Sequence, residues 1–404
     1  MNSISENALP LSGCRVLDLT AIVLGPLATL CLADLGADVI KVESPEGDGI
    51  RNAGTTRNPG MGSIYLALNR NKRSLALDLK QPEARGVLER LAAWADVVVH
   101  NMRPEAAKRL GIDYESLCKA NPRLIHCSAS GFSAGGERAA DPAVDDVIQA
   151  VSGLAALCAD DSGVPRYVPT LIADKVSGLL ACQAILAALL AREKTGKGQA
   201  VSVPMAETIS AFMLLEHLGG LTFDPPAGDA GYGRLLTPYR RPMATRDGYI
   251  ALTPYTKRDW QGFFRAAGRP GLAEDPRVTD NRRRNDEIGD LYALLGQLLP
   301  ERTTDEWIEI AREVGIAVAA VNSLGDVMRD PWFRNSGYVQ EIEHPTEGRT
   351  LGIGPMVIVE GSSSNRPRPA PRLGEHSAAI LRELGIDEQE VTDLAEAGVI
   401  SGPV

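Results

Sequence analysis

Asp174 is the residue of this chain whose type and position point most directly to chemistry. It precedes Ser177-Gly178 and the apolar stretch Leu179–Leu190, a pattern typical of one long helix. A helix that is hydrophobic on every face belongs inside a large domain, so its single carboxylate should lie where a core meets a cavity or a surface. Asp174 is therefore a candidate nucleophile. The alternative is an ordinary N-cap, because Asp readily accepts hydrogen bonds from the free amides of a helix start.

Cationic and amide side chains directly follow two predicted strands. Lys80 comes after one strand, Asn101 and Arg103 come after the next, and Arg109 lies in the helix beyond. In parallel α/β sheets, ligands bind outside the carboxyl ends of the strands, so these side chains are predicted to converge at one edge. Arg and Lys bind phosphate through charge-assisted hydrogen bonds, which indicates an anionic ligand with several phosphates. The alternative is solvated surface charge.

Histidine and cysteine form no catalytic or metal-binding pattern in the sequence. The five histidines and six cysteines are dispersed, there is no HxxxH or CxxC motif, and no Ser/His/Asp spacing supports a hydrolase. The usual signature of a zinc site is therefore missing. We expect no metal site, and we expect the cysteines to be buried small hydrophobes.

The composition is that of a soluble globular protein, with 44% hydrophobic and 23% charged residues. The net charge of -10 argues against a surface that binds nucleic acid non-specifically. No apolar run is long enough to predict a membrane span, and residues 1–7 lack the basic flank and apolar run of a signal peptide. We therefore predict a cytoplasmic protein with no nucleic-acid or membrane partner.

The elements that must position the candidate residues alternate between strand and helix. Strand-like runs lie at 14–20, 38–43, 74–79, 96–100, 123–130 and 199–203. Helical stretches separate most of them, which is typical of an α/β fold with a parallel sheet. No GxGxxG motif follows the first strand, so the dinucleotide fingerprint is absent.

The composition changes after Gly219. A stretch rich in proline and glycine at 222–233 reads as a linker, and a short β segment with helices beyond it predicts a smaller α+β domain at about 225–330. Met356–Val359 is predicted to be a strand. The helices near the C-terminus, at 377–384 and 388–397, are predicted to pack back on the first domain.

Seven short runs form an ordered set from about residue 11 to the C-terminus. They are Arg15–Thr20, Gly25-Pro26, Leu32–Glu43, Asn69–Lys80, Ala95–Asn101, Lys194–Gln199 and Leu373–His376. Each run is modest alone, but the ordered set resembles the family III CoA-transferases, the CaiB/BaiF family, which includes formyl-CoA:oxalate and carnitine CoA-transferases.

The resemblance implies an architecture that the strand and helix pattern does not reach. It implies a large Rossmann-like domain built from both chain ends (1–224 and 331–404), a small α+β domain between them (225–330), and an interlocked homodimer. It implies that CoA enters as an acyl-CoA substrate and that no cofactor is bound permanently. It places the family's catalytic aspartate on Asp174. Positions that contact CoA carry over to Ile22, Val23, Leu77, Lys80, Asn101, Met102, Arg103 and Arg109.

The chain departs from the family's pattern at three places. Ala21–Val23 is apolar where the oxalate-type enzymes carry polar side chains. Ser44 stands where some members have an Arg for a CoA phosphate. Leu235–Arg240 lies where the formyl-CoA enzymes have a glycine-rich loop.

The same fold hosts α-methylacyl-CoA racemases, which need bases on both faces of the α-carbon. The family supplies an Asp, a His and a Glu, but here the His position falls on Val144 and the Glu position falls near Tyr255-Thr256. The side chains of Val144, Tyr255 and Thr256 do not exchange a proton near pH 7, which favours CoA transfer over racemisation. A racemase and a non-catalytic CoA-binding protein are the alternatives.

Thioester exchange between two carboxylates is nearly balanced in free energy, so it requires neither ATP nor a metal. We expect Asp174 to form first a mixed anhydride and then an aspartyl-CoA thioester. The helix start is expected to keep Asp174 ionised, and the glycines at 131–136 could serve as a lid. Succinyl-CoA is the expected donor. The expected acceptor is a dicarboxylate, whose distal carboxylate could pair with Arg234, Arg240 or Arg241.

Overall fold

The computed structural model describes residues 8–361 and 367–403. Residues 1–7, for which the sequence predicts no signal peptide, lie outside the described residues, as do 362–366 and Val404.

The described residues form one large sheet and two small ones. The strands are β1 (Arg15–Leu19), β2 (Asp38–Glu43), β3 (Lys72–Leu77), β4 (Val97–His100), β5 (Ile125–Ser128), β6 (Gln199–Ser202), β7 (Met243–Ala244), β8 (Tyr249–Leu252), β9 (Val318–Ala320), β10 (Val339–His344), β11 (Gly348–Ile353) and β12 (Ile400–Ser401). The large sheet has the order β12-β3-β2-β1-β4-β5-β6. Its pairs are parallel except for β12 with β3. β10 and β11 form an antiparallel hairpin, and β7, β8 and β9 form a small antiparallel sheet.

The large sheet is doubly wound. Its central strands are apolar runs such as β4, which is buried along its whole length, as expected where helices cover both faces of a parallel sheet. The strand order reverses between β1 and β4, which makes a topological switch point where ligands bind in such folds. The α/β class with a large parallel sheet, predicted from the sequence, is confirmed.

Helices connect the strands and cover the sheet. They are α1 (Leu24–Asp34), α2 (Ser63–Leu68), α3 (Ala84–Trp94), α4 (Pro104–Leu110), α5 (Tyr114–Leu117), α6 (Asp145–Val151), α7 (Leu154–Leu157), α8 (Ile172–Thr195), α9 (Met205–His217), α10 (Gly233–Leu236), α11 (Lys257–Ala266), α12 (Pro276–Thr279), α13 (Asn281–Asp286), α14 (Ile288–Leu298), α15 (Thr304–Val314), α16 (Leu324–Arg329), α17 (Pro331–Asn335), α18 (Ser377–Glu383) and α19 (Glu388–Glu396). One face of the large sheet packs on α3, α18 and α19. The other face packs on α1 and α8.

The chain divides into two compact units. Unit 1 comprises residues 1–159, 165–213 and 334–404, and unit 2 comprises 160–164 and 214–333. Unit 1 contains the large sheet and its two apolar layers. Unit 2 has its own aromatic core, which includes Trp260, Phe263 and Trp307. The domain ranges predicted from the sequence remain predictions.

One sequence prediction near the C-terminus is wrong, and one structural element there was not predicted. Met356–Val359, predicted as a strand, is irregular, and its first three side chains are exposed. The hairpin of β10 and β11 lies where no strand was predicted. The physical reason is that a short apolar run carries no periodicity, whereas the two hairpin strands are largely polar and bury few side chains.

The helix that carries Asp174 is only partly buried. Ala181, Ile185 and Ala188 of α8 lie in the core, but Leu179 and Leu190 are exposed. The prediction that this helix is buried on every face is therefore wrong. Among the described residues, α8 is long and apolar enough to cross a membrane, although core helices of soluble proteins pass the same test.

Candidate active site

The loop after β1, Thr20–Val23, lies at the switch point of the large sheet, and we call it the β1 loop. Asn101, directly after β4, clamps it with two hydrogen bonds. Ala21 N donates to Asn101 Oδ1 at 3.0 Å, and Asn101 Nδ2 donates to Ala21 O at 2.8 Å. The structure therefore places Asn101 at the predicted ligand edge, where its amide side chain holds the β1 loop.

Ile22 adopts a backbone conformation that β-branched residues rarely take, with φ of 71°. Its amide donates to both carboxylate oxygens of Asp48, at 3.0 and 3.2 Å. Asp48 also accepts a hydrogen bond from the buried Lys41 Nζ at 3.0 Å. A left-handed non-glycine residue costs about 1–2 kcal/mol, and such strain persists where the surroundings over-determine it. The β1 loop is thus a fixed feature that presents an exposed Ile22 side chain.

A buried network of charged side chains is hydrogen-bonded to the β1 loop. Asp18 of β1 accepts hydrogen bonds from Lys72 Nζ at 3.0 Å and from Thr29 Oγ1 at 2.6 Å. Burial alone would raise the pKa of Asp18, but the Lys72 and Lys41 cations outweigh it and hold that pKa below its ordinary value. Burial lowers the pKa of Lys72 to about 8. Lys41 Nζ donates to Thr20 O at 2.8 Å, which ties the network to the loop.

Asp174 lies in the first turn of α8. Leu171 is the N-cap residue, and Asp174 is the third helical residue. The alternative that Asp174 is an ordinary N-cap is therefore wrong. One turn later, a Cβ on Gly178 would stand 2.6 Å from the carbonyl oxygen of Leu24. Only glycine permits this close approach between α8 and the start of α1.

The start of α8 lies at the same edge of the sheet as the β1 loop. Ala173, the neighbour of Asp174, shares a buried apolar cluster with Leu24 at the start of α1 and with Ala129 after β5. Because Leu24 directly follows the β1 loop, this packing brings Asp174 to the carboxyl edge of the central strands.

The electrostatic surroundings of Asp174 favour its neutral form. The residue is 9% exposed. Burial, and in second place the nearby Asp145 carboxylate, raise the pKa of Asp174 to about 7. Among the described residues no donor forms a hydrogen bond with its carboxylate. The expectation that the helix start keeps Asp174 ionised is therefore wrong in direction.

Asp145 explains why the start of α8 does not keep Asp174 ionised. Its Oδ1 accepts a hydrogen bond from the backbone N–H of Asp174 at 3.0 Å, and its Oδ2 accepts one from Gln149 Nε2 at 2.6 Å. The positive end of α8 is thus already occupied by a buried carboxylate. Sequence reasoning missed this role, because it considered only Val144 at this place, and Val144 is exposed. The Asp145-Asp146 pair at a predicted helix start was the available signal.

Arg103 and Arg109 come together on one cavity of about 340 Å³. Both belong to the segment after β4, and both side chains are exposed. Arg103 Nη1 also donates to Ala140 O at 3.2 Å. The predicted convergence of these two cations is therefore present in the structure.

The other predicted CoA contacts differ in their access to a ligand. Lys80 is exposed beyond the end of β3, and Met102 is partly buried against the core. The side chains of Leu77 and Val23 are buried. Leu77 and Val23 can therefore approach a ligand only through their backbone, and their contact with CoA stays a prediction.

The glycine-containing loop at 131–141 is anchored to its surroundings. A Cβ on Gly131 would stand 2.2 Å from Ala143 Cβ, and Ser133 N donates to Glu207 Oε1 at 3.0 Å. Gly135 has open space around it. The role of this loop as a lid stays a prediction.

The three arginines considered for a distal carboxylate lie in different surroundings. Arg241 forms an exposed ion pair with Asp161 at 3.2 Å. Arg240 is exposed, whereas Arg234 is partly buried and lines a cavity of unit 2.

The six cysteines are free thiols, and Cys127 and Cys182 are buried. Across residues 8–361 and 367–403, no group of three or more His, Cys, Asp or Glu side chains could hold a metal ion.

Comparisons with known proteins agree over nearly the whole chain. A sequence profile described as CoA-transferase family III matches residues 11–377. The chain is 32% identical to the succinyl-CoA:glutarate CoA-transferase of Homo sapiens, over 98% of this chain and 91% of that protein. It is also 32% identical to the formyl-CoA:oxalate CoA-transferase of Escherichia coli, over 96% and 98%.

The fold is similar to that of solved structures as well. The crystal structure of a CaiB/BaiF family protein from Brucella suis has a TM-score of 0.79 and 30% sequence identity. The similarity covers 93% of this chain and 100% of that one.

Proposed function

The chain belongs to CoA-transferase family III and is an enzyme, and we propose that it moves CoA from an acyl-CoA to a free carboxylic acid through Asp174. The observation that carries the assignment of Asp174 is its position. A nearly buried carboxylate with a pKa of about 7 stands beside a strained loop at the switch point of the sheet. Carboxylates with such perturbed pKa values cluster at catalytic sites.

The raised pKa makes Asp174 a stronger nucleophile in its ionised form. A carboxylate that accepts no hydrogen bond and lies next to a second carboxylate is poorly stabilised. Its lone pairs are therefore available to attack a carbonyl carbon. With a pKa of about 7, Asp174 exchanges between its neutral and ionised forms near neutral pH, so the reactive form is present there.

The reaction proceeds in two mirrored halves. Asp174 attacks the thioester carbonyl carbon, the C–S bond breaks, and a mixed anhydride and the CoA thiolate result. The thiolate then attacks the Asp174 carbonyl carbon of the anhydride, which gives an aspartyl-CoA thioester and releases the first acid as its carboxylate. The incoming carboxylate attacks this thioester, the C–S bond breaks, and a second mixed anhydride and the CoA thiolate result. The thiolate finally attacks the acceptor's carbonyl carbon and expels the Asp174 carboxylate. Asp174 returns as a carboxylate, so the step is covalent catalysis.

Burial of Asp174 protects these intermediates. An anhydride open to solvent would hydrolyse and waste the thioester, and the low exposure of Asp174 limits the access of water. The fixed β1 loop lies on the same edge, so it can hold an acyl group without rearranging.

CoA binds as a substrate, with no permanently bound cofactor. Arg103 and Arg109 share one cavity and offer two cations for phosphate groups. Lys80 extends this positive edge. The contacts of CoA with Ile22, Val23, Leu77, Asn101 and Met102 belong to the same proposal.

The acceptor that we propose is a C4–C6 dicarboxylate, and the donor is succinyl-CoA. Two relatives at 30–32% identity carry names that pair succinyl-CoA or succinate with glutarate. The apolar β1 loop differs from the polar side chains expected of oxalate-type enzymes, which favours a longer acid.

The test is isotope transfer followed by mass spectrometry. Unlabelled succinyl-CoA and ¹³C-labelled acids are incubated with the enzyme, and the labelled CoA esters are measured. We expect Asp174→Asn to lower transfer about 1,000-fold or more. Asp146→Asn, an exposed neighbour of Asp145, is the matched control and should retain activity. Substantial transfer by a folded Asp174→Asn variant rejects the nucleophile role.

The same incubation separates the alternative functions. A racemase would exchange the α-proton of a 2-methylacyl-CoA in deuterated water without any added acid. A non-catalytic CoA-binding protein would show neither exchange nor transfer across a broad panel of acyl-CoA esters.

The proposed assembly is an interlocked homodimer in the cytoplasm. Apolar side chains that are exposed in the single chain support an interface, among them Leu179 and Leu190 of α8 and Phe212 of α9. Light scattering coupled to size-exclusion chromatography should give twice the chain mass of 43.1 kDa. A monomer at micromolar concentration contradicts the assembly.

A further inference from the structure

Unit 2 contains a cavity of about 1450 Å³, which we call the Arg234 cavity. It lies between α10, α11, α13 and the start of α14. Polar and cationic side chains on its wall include Tyr232, Arg234, Tyr255, Lys257, Arg258 and Arg284. The transfer chemistry proposed for Asp174 uses none of them.

Arg234 is held in this cavity by aromatic rings, and it forms no ion pair with any acid of the described residues. Its Cζ lies 4.3 Å from the centroid of the Tyr255 ring and 5.8 Å from that of Tyr292. Its Nη2 is buried and has no hydrogen-bond partner within the described parts of the chain. A guanidinium that stacks on an aromatic face keeps its edge free for planar anions.

Two of the three acids on the cavity wall face other arginines. Glu287 accepts from Arg283 Nε at 3.0 Å, and Asp286 lies 3.8 Å from Arg282 Nε. The third, Asp290, forms no ion pair with Arg234 within the described residues. Arg284 is satisfied by Val278 O at 2.7 Å and by the Asn281 side chain. The charge of Arg234 is thus left without a counterion in the part of the chain that the structure describes.

A second unsatisfied group lies beside Arg234. The phenol oxygen of Tyr292 is buried and, among the described residues, also has no hydrogen-bond partner. A buried N–H donor and a buried phenol without partners each carry a desolvation cost. Of the two residues, Arg234 lines the cavity.

We propose that the Arg234 cavity binds a small dicarboxylic acid, with one carboxylate on Arg234. The exposed Lys257 and Arg258 line the same cavity and can take the second carboxylate. A single buried guanidinium edge between aromatic walls suits a planar carboxylate better than a phosphate. The choice of a dicarboxylate rests on the proposed function, whereas the anion site itself does not.

The test is calorimetric titration of the full chain without any CoA ester, using glutarate, pentanoate and inorganic phosphate as probes. We expect glutarate to bind at millimolar concentrations or below, and more tightly than pentanoate, which has one carboxylate. Arg234→Gln should weaken glutarate binding about tenfold or more, the loss expected for a charge-assisted pair. Arg246→Gln removes an exposed arginine of unit 2 that pairs with Glu306, and it should leave binding unchanged.

Arg234→Lys provides a second variant if the glutamine variant fails to fold. It keeps the charge but loses the planar fork, so its binding should be intermediate. Equal glutarate affinity in wild type and Arg234→Gln, or no binding by the wild type, overturns the proposal. Phosphate binding that equals glutarate binding overturns the carboxylate assignment. Because no CoA ester is present, a failure of the proposed transferase activity leaves this result unaffected.

Discussion

Replacing Asp174 by Asn should remove transfer activity and, at high pH, make the protein more stable. The folded-state pKa of Asp174 is raised from its ordinary value of 3.8 to about 7 by burial and by Asp145. Below pH 3.8 the carboxyl group is protonated in both the folded and the unfolded chain and contributes nothing. As the pH rises, the unfolded chain ionises first, so the free energy of unfolding falls until the pH passes the folded pKa. Asn carries no charge and escapes this loss.

The magnitude follows from the difference between the two pKa values. At about 1.36 kcal/mol per pH unit, the wild type loses about 4 kcal/mol of stability by pH 8. About 2 kcal/mol of this is already lost at pH 5. The stability gained by Asp174→Asn should therefore be larger at pH 8 than at pH 5 by about 2–3 kcal/mol. With an unfolding entropy of about 2.1 cal/mol/K per residue over 404 residues, this corresponds to about 3 °C in thermal midpoint.

The assay is thermal unfolding of wild type and Asp174→Asn at pH 5 and pH 8, in the same buffer series. Comparing two pH values cancels any packing difference between Asp and Asn, because that difference does not depend on pH. Asp146→Asn, at an exposed position, should show no such change between the two pH values. An equal stability difference at both pH values would refute the reasoning, since it would mean that Asp174 titrates normally. Transfer activity of the wild type should also fall below pH 7, where the nucleophile is protonated.

Three further outcomes follow from the same geometry. Gly178→Ala should destabilise the protein by about 1–3 kcal/mol in denaturant unfolding, because α8 must move away from α1. Gly296→Ala, in an exposed helix position with open space, should be neutral or stabilising. Asp48→Ala should lower the free energy of unfolding by about 3–5 kcal/mol, because it leaves the buried Lys41 without its ion-pair partner. Asp38→Ala removes a partly exposed ion pair and should lower it by about 0–1 kcal/mol. Equal losses in the two variants would contradict the role of Asp48 in holding the β1 loop. Arg109→Gln should raise the KM for acyl-CoA with little change in kcat. An unchanged KM would mean that Arg109 does not contact CoA.

Much of the sheet could be predicted because its strands are buried on both faces. Strand β2 was predicted at its observed bounds, because its buried Val39, Ile40 and Val42 lie between a glycine and a polar loop. The position of Asn101 at the carboxyl edge of the sheet followed from the strand-end rule alone. The C-terminal strand β12 pairs antiparallel with β3 over only two residues, and a strand that short leaves no readable pattern.

The residue types at the site were easier to predict than their charge states. Asp174 was identified from an ordered set of family motifs, but its pKa depends on its burial and, in second place, on Asp145, which is 29 residues earlier in the chain. Nothing in the spacing of two aspartates at such a distance shows that one accepts the other's amide hydrogen bond. The conformation of Ile22 was equally hidden, because a positive φ at a β-branched residue is set by Asp48 and Lys41.

Asp18 and Asp174 are both buried at the same edge of the sheet, but their charged neighbours shift their pKa values in opposite directions. Asp18 is surrounded by Lys72, Lys41 and two hydroxyl groups, and its pKa lies below the ordinary value. Asp174 faces Asp145 and, within the described part of the chain, no cation, and burial together with Asp145 raises its pKa to about 7. An ionised Asp174 therefore carries an unfavourable free energy that Asp18 does not. When Asp174 forms an anhydride or a thioester its charge disappears, so that free energy is released as the covalent bond forms. A carboxylate stabilised like Asp18 would lose its ion pairs in the same step, which is why the isolated aspartate is the one suited to hold the acyl group.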